Sequence, residues 1–572
     1  MKAGKKTLVS LVALLLAFSL VAAACSSNDK GNDGGSNTGT ANTNTQADEN
    51  AGNGEAAADD PAPADEPLEF SFYVNYDWYS PKGLDTDAKP IHTWLRNEKK
   101  VTIKEISSGG NAAQKLGTMI ASNSLPDVIQ MDRGADFDKL VAEGKLVALD
   151  EYLEKYPNLK SHTNEAMLNL LRSKDGKLYG IPNWFGDPKD ESARTSHTGW
   201  VVNKKIYEEL GSPALATFDD LYNFLKAVKE KYPDVVPLDS ANTDRGVVQV
   251  QNMIYAGMGP NRPAEFTKTD HLLAWGDFDA KTFKPIFDDP AFLESYQFTS
   301  KLFREKLLTQ DLMTQKREQF EEKLANGKIA VAATYDIAGA ADKANTKLKE
   351  QGNEYITIAP IVKAGVDLNQ VSHASYGSLG WNFNAITTSA KDPERIFAFF
   401  DWLMSPEGTT VAMYGPPGLY YEPDEKGFPI FNDKYKSLTP EQKENDGIGN
   451  TYFNLQGSPQ FGHLEKVVME REGIEKSWNA KANEFYGQWV RINGDQFNNV
   501  KNFSKGSEED IINQQIIQIM EKAVAKMVFA PNDEAVKKEM EAARSQVEAA
   551  GYGKLLTFMN NVWASNREQM GL

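Results

Sequence analysis

The sequence predicts an α/β protein with a helical C-terminal extension. Through most of the chain, short runs of alternating apolar residues change places with helix-period apolar stripes, and from Glu508 onward only helical stripes remain. Composition permits large cores, with 41% hydrophobic and 10% aromatic residues. Leu68, Phe70, Phe72 and Val74 alternate with Glu69, Ser71 and Tyr73, the period of a strand. Ile91, Trp94 and Leu95 mark a helix, and Val101, Ile103 and Ile106 the next strand. Ala112, Leu116, Met119 and Ile120 form another helical stripe, and a strand follows over 125–131, punctuated by Pro126. This βαβαβ order implies a largely parallel sheet with helices on both faces and right-handed crossovers. Further on come a turn at Asp175-Gly176, a strand at 200–202, a helix over 218–231 capped by Thr217, and strands at 329–334 and 383–386. A helix over 393–404 turns Phe397, Phe400 and Leu403 inward. The last helix gathers Leu555, Leu556, Met559, Val562 and Trp563 on one face. Trp94, Trp402 and Trp563 lie on such stripes and are expected in cores.

The N-terminus has a different character. Lys2, Lys5 and Lys6 precede an apolar stretch of roughly fourteen residues and then Ala22-Ala23-Ala24, the pattern of a secretory signal over 1–24. That stretch is too short to span a hydrocarbon core of ~30 Å as a helix. Cleavage leaves Cys25, the single cysteine of the chain, at the new N-terminus. The arrangement resembles a bacterial lipobox, which implies a lipid on the Cys25 thiol and, through it, a membrane as partner. The alternative is an ordinary secretory cut that releases a soluble protein with a free thiol. Residues 26–67 contain no aromatic side chain and Ala as the only apolar one, so they cannot offset their ordering entropy. As a coil of about 42 residues the segment reaches roughly 35 Å. Residues 25–67 are therefore expected to be a lipidated tether.

The formal charge is −18, three units more negative once the leader lysines are removed. Nucleic acid and anionic membrane surfaces both select for basic stripes, so neither is an expected partner of the folded part. With no cysteine after Cys25, no disulfide braces the fold.

Several motifs stand in one order. Residues 125–129 (LPDVI), 140–146 (LVAEGKL) and 149–153 (LDEYL) are followed by 175–182 (DGKLYGIP), 200–207 (WVVNKKIY), 217–221 (TFDDL), 327–331 (GKIAV) and 396–408, which ends in Ser405-Pro406-Glu407-Gly408. In order and spacing they resemble family 1 extracellular solute-binding proteins, and the length and lipobox-like start resemble the LipO-like, oligosaccharide-binding branch. The resemblance implies a two-lobed fold of the periplasmic-binding-protein type II kind with a hinge between the lobes. Mapped here, lobe one is 68–184 plus 379–417, and lobe two is 195–378 plus 420–572. It also implies a monomeric, non-enzymatic receptor on the outer face of the cytoplasmic membrane of a Gram-positive type of cell. Such a receptor passes an oligosaccharide to the permease subunits of an ABC transporter.

A cleft for sugar needs aromatic faces for the C–H side of pyranose rings and polar partners for the hydroxyls. Residues of both kinds follow expected strands or sit in loops: Asn75, Tyr76, Asp77 and Trp78; Asp132 and Arg133; Asn183 and Trp184; Tyr335 and Asp336; Tyr376 and Trp381; Tyr420 and Tyr421. For each aromatic the alternative is packing in a core or a surface loop. Trp184 and Trp381 begin the two expected crossovers and lead the set.

No cofactor is implied. The six histidines show no paired-ligand spacing for zinc, and no carboxylate-rich calcium loop or glycine-rich phosphate loop occurs. Two other classes remain open at this point. A secreted glycoside hydrolase would combine aromatic subsites with a carboxylate pair, and a sensory or structural lipoprotein would use the same fold without an importer.

Overall fold

Alternating side chains turn residues 68–74 into strand β1 (Leu68–Val74), with Leu68, Phe70 and Phe72 buried and Glu69 exposed. The computed structural model describes residues 66–77, 89–187, 196–243, 247–264, 273–449 and 457–572. All of them lie in one compact unit, Pro63–Leu572. The expected signal and most of the tether, with Cys25 and also Trp78, lie outside the described residues.

The chain continues through β2 (Val101–Ile106), β3 (Val128–Asp132) and β4 (Ile181–Asn183). It then forms β5 (Gly199–Asn203), β6 (Val236–Asp239), β7 (Ile329–Thr334) and β8 (Tyr355–Ile358), and finally β9 (Ala374–Tyr376), β10 (Asn382–Ile386) and β11 (Val490–Asn493). Two sheets result. The first has the order β2-β1-β3-β10-β4 and the second β8-β5-β7-β6. In the first, β1 is parallel to β2 and β3, whereas β10 is antiparallel to both its neighbours. In the second, β7 is parallel to β6, but β5 runs antiparallel to β7 and β8. The expectation of a largely parallel sheet thus gives way to two mixed sheets. The exceptions, β5 and β10, are the strands that the chain enters on crossing from the other lobe, so they arrive from the opposite end.

Each sheet has its own core. Phe70 and Phe72 meet Phe399 and Phe400 of the helix Pro393–Leu403 at ring-centroid distances of 5.9 to 6.4 Å. In the second lobe the helix Phe218–Lys231 buries Phe218, Leu221, Phe224, Leu225 and Val228 against the sheet. Its start is a capping box: Asp220 N–H donates to Thr217 Oγ1 (3.2 Å), and Thr217 N–H donates to the Asp220 carboxylate (2.9 Å). The helices Glu508–Val528, Asp533–Ala549 and Tyr552–Met570 join this second core. Trp563 sits among Phe278, Phe283 and Phe497, as its stripe predicts; Trp94 and Trp402 instead stack on each other at the rim of the first core.

Residues 420–449 and 457–472 depart from the expected lobe two. The hairpin Tyr421–Pro423/Pro429–Phe431 and the helix Pro459–Glu472 share a small core of Tyr414, Tyr420, Tyr421, Phe431, Ile448, Leu464 and Val468. Phe461 of that helix enters the lobe-one core, and Met413 borders both. Packing therefore places this segment on lobe one, and lobe two resumes with the helix Trp478–Gly487, whose Tyr486 hydroxyl donates to Trp200 O (2.6 Å). The strands of the hairpin are too short to carry a pattern that names their neighbour. Among the described residues no helix is long and apolar enough to cross a membrane.

Candidate ligand-binding site

Where the chain returns to lobe one, β9 pairs in parallel with β11, so the crossover at 374–381 and the loop at 494–502 run side by side. Together with the end of β3 they enclose an open cavity of about 570 Å³. Arg133 and Gly134 form one wall, Tyr376 to Trp381 the second, and Asp495 to Asn502 the third.

Trp381 is the exposed platform of this cavity, 41% accessible, whereas Leu379 and Val500 of the same lining are buried. Its ring lies 5.3 Å from that of Tyr76, tilted by 51°. Gly380, at φ 69°, makes the turn before it, and a Cβ there would overlap the Asn183 carbonyl, so the close approach of β4 requires glycine. The Tyr76 hydroxyl donates to Asp132 Oδ1 (2.9 Å). Desolvation raises the Asp132 carboxyl above its usual range, against the opposing pull of that hydrogen bond and of Arg133 and Lys501. Desolvation together with Asp132 also raises the Tyr76 phenol. Arg133 donates from Nη2 to Gly380 O and lies 5.8 Å from the Phe383 ring, with Nε and Nη1 buried and unbonded. Burial pushes its pKa down to about 10, despite Asp495 and Asp132 nearby. Asp495 accepts from the Ser378 N–H (2.9 Å), the Ser378 hydroxyl (2.7 Å) and the Leu379 N–H (3.3 Å), which pins the loop to the crossover.

The structure brings together Tyr76, Asp132, Arg133, Tyr376 and Trp381 from the sequence-derived set. The others have different surroundings. Asn75 accepts from the Tyr73 hydroxyl (3.1 Å), and Asp77 accepts from Ala112 N–H (2.8 Å) at the start of the helix Ala112–Ala121. Asn183 is fully buried and accepts from the N–H groups of Gly457 and Trp184. Trp184 is half-buried at φ 61°, a left-handed conformation that costs a bulky residue on the order of 1–3 kcal/mol and is held by its N–H bond to Gly457 O (3.0 Å). Tyr335 packs on the lobe-two core and accepts from Asn252 Nδ2, while Asp336 is exposed and pairs with Arg317 (3.1 Å). Tyr420 and Tyr421 are core residues, 0% and 2% exposed, and the Tyr420 hydroxyl donates to Asp446 (2.8 Å).

Sequence reasoning missed the third wall. Its signal was the Asn493-Gly494 and Asn498-Asn499 dipeptides, turn formers directly after a four-residue strand. Among the described residues no group of three or more His, Cys, Asp or Glu side chains is placed to hold a metal ion.

Two α/β lobes, with chain crossings between them and an open aromatic and polar cavity beside the crossings, define a solute-binding architecture. The profile of the bacterial extracellular solute-binding protein family matches residues 80–410, more than half of the chain, and the chain belongs to that family. It is similar to the lipoprotein LipO of Bacillus subtilis, 24% identical over 413 residues (69% of this chain and 77% of LipO). It is also similar to the polygalacturonan/rhamnogalacturonan-binding protein YtcQ of the same organism, 23% identical over 487 residues (82% and 86%). The fold is shared with the alginate-binding protein AlgQ2 solved without calcium ion (TM-score 0.61, 19% identity, 87% of this chain and 98% of that one). It is shared likewise with FusA of S. pneumoniae in complex with kestose (TM-score 0.61, 17% identity, 88% and 100%).

Proposed function

We propose that this protein is the monomeric receptor of an ABC importer, which takes up an oligosaccharide in the cavity beside Trp381 and hands it unaltered to the permease subunits. The observation that carries the reading is the exposed Trp381 indole, set against Tyr76, whose hydroxyl donates to Asp132, with Arg133 in the wall of the same cavity. An apolar ring face next to charged hydrogen-bonding groups is what a pyranose requires. Relatives named for polygalacturonan or fructooligosaccharide binding support the same solute class. Hydrolysis needs an acid and a base whose oxygens are available. In this cavity the Asp495 oxygens are engaged by Ser378 and Leu379.

A thermal-unfolding screen over an oligosaccharide panel tests the reading, since a ligand at about a hundred times its Kd adds roughly 2.7 kcal/mol to the native state. A raised midpoint with the sugar recovered intact is expected. No stabilisation by any sugar, or cleavage of the one that binds, rejects it. Attachment is part of the proposal: a lipid on Cys25 holds the receptor at the outer face of the cytoplasmic membrane. Cys25→Ser should move the protein from the membrane fraction to the medium, and unchanged membrane association would contradict the anchor.

A further inference from the structure

The cavity beside Trp381 ends at a bridge between two of its walls. On the lobe-one side the wall passes from Arg133 and Gly134 into the helix Ala135–Ala142, and on the lobe-two side it follows the loop as far as Asn502. There the Asn502 amide donates to Asp138 Oδ2 (2.7 Å), and the Lys505 ammonium pairs with Asp136 (3.4 Å). Beyond the bridge the same helix and the same loop line a second cavity of about 580 Å³, with Asp138 on one side and Ser504 and Lys505 on the other. Asn502 lines the first space and its partner Asp138 the second, so their bond is the partition between the two.

The partition is narrow and is held from both sides. A pyranose ring between two walls needs them about 7–8 Å apart, two contact distances of roughly 3.5–4.0 Å. At the bridge a Cβ on Gly134 would already stand 3.9 Å from Asn502 Oδ1. Next to Asn502, Phe503 is buried against Phe558 of the C-terminal helix, with ring centroids 5.1 Å apart, and earlier in the loop Asn498 donates to Leu170 O (2.7 Å). Opposite, Phe137 and Leu140 root the helix that carries Asp138 in the lobe-one core. The bond to Asp138 is the stronger of the two bridging contacts, because Lys505 is largely exposed and its ion pair is screened. At the packing density of folded interiors a hexose unit takes on the order of 170 Å³, so the first cavity, of about 570 Å³, has room for about three.

We propose that the Asn502–Asp138 bridge sets the length of the solute, closing over an oligosaccharide of about three units that lies against Trp381. Resting on the oligosaccharide reading above, the limit is one of size and not of sugar type. A longer chain holds Asn502 and Asp138 apart, and the loss of their bond offsets what its further units gain. With the bridge removed, the two cavities become one groove, and the further units have walls to lie against. Asp138 acts through Asn502, as a positioning residue that the short solute does not touch.

The test is calorimetric titration of the mature protein with oligogalacturonides, fructooligosaccharides, xylooligosaccharides, mannooligosaccharides and whichever other sugar raises the unfolding midpoint, each as a series from disaccharide to octasaccharide. In the series that binds, affinity should climb to the tri- or tetrasaccharide and then change by less than about two-fold per further unit. In Asp138→Ala the climb should continue, with the hexasaccharide bound at least about five-fold more tightly than by the wild type and the trisaccharide within about two-fold of it. Asp138→Asn keeps an oxygen that accepts from the Asn502 amide, so it should restore the wild-type profile, which a general loosening of the helix would not do. Should Asp138→Ala fail to fold, Asn502→Gly removes the bridge from the other wall and should extend the profile in the same way. Wild-type affinity that keeps climbing past the tetrasaccharide, a folded Asp138→Ala or Asn502→Gly with the wild-type length profile, or an Asp138→Asn profile that matches Asp138→Ala would overturn the proposal and leave the oligosaccharide reading standing. Binding of no sugar at all would remove that reading as well.

Discussion

Asp132 is ionisable beside the cavity-lining Arg133, and its surroundings give its titration a direction. Desolvation raises its carboxyl, so in the window above about 4 the folded state holds a proton that the unfolded chain has lost. Its contribution to stability therefore falls as pH rises through that window. Sugar hydroxyls donate to the ionised form, so affinity should move the other way, dropping on acidification before ordinary carboxylates titrate. Asp132→Asn should flatten that part of the affinity–pH profile; an unchanged profile would take Asp132 out of the site. At this scale the sequence was only partly legible. Tyr76 and Trp381 could be picked as aromatics after strands, but Tyr420 and Tyr421 looked the same. What separates them is tertiary: Ile448, Leu464 and Val468 close over the second pair, while Trp381 stays 41% exposed with Tyr76 against its ring.

Elements with strong local signals follow their residues closely, and the cap at Thr217 is an example. Its hydroxyl and the Asp220 carboxylate exchange bonds with each other's N–H groups, and Thr217→Ala should cost about 1 kcal/mol in urea unfolding. Those same bonds lower the Asp220 pKa. The capped helix therefore gains stability at neutral pH that is lost as pH falls below about 4, and Thr217→Ala should shrink that acid-labile part. Crossover elements were far less readable. Nothing in Ala374–Tyr376 names Val490–Asn493 as its neighbour, because a three-residue strand has no period to match. Nor does local preference foresee Trp184 at φ 61°, a conformation fixed by Asn183 and Gly457 rather than by tryptophan.

Across the whole molecule, the C-terminal helix ties the second core to the cavity. Trp563 is 1% exposed among Phe278, Phe283 and Phe497, and its indole N–H donates to Gln496 Oε1 (2.9 Å). Three residues on, Asn566 donates to Gln496 O (3.0 Å) and Asn498 O (2.6 Å), fixing the loop that forms the third wall. Trp563→Ala should cost about 3–5 kcal/mol in chemical unfolding and also weaken ligand binding, though it is not a contact residue. A loss of stability with full affinity would show that the wall holds its shape without this support. The helical extension and the two-lobed plan were legible from apolar stripes and motif order. The packing of residues 420–449 and 457–472 against lobe one was not, since it rests on Phe461 and a few short elements. The measurement that bears most directly on the account is calorimetric titration of wild type and Trp381→Ala with the same oligosaccharide. One site is expected in the wild type, with affinity lower by at least about five-fold in the variant for loss of about 1 kcal/mol of stacking. The unfolding midpoint should barely change, because this indole is already 41% exposed. Equal affinity in a folded Trp381→Ala variant would contradict the assignment of this cavity as the sugar site.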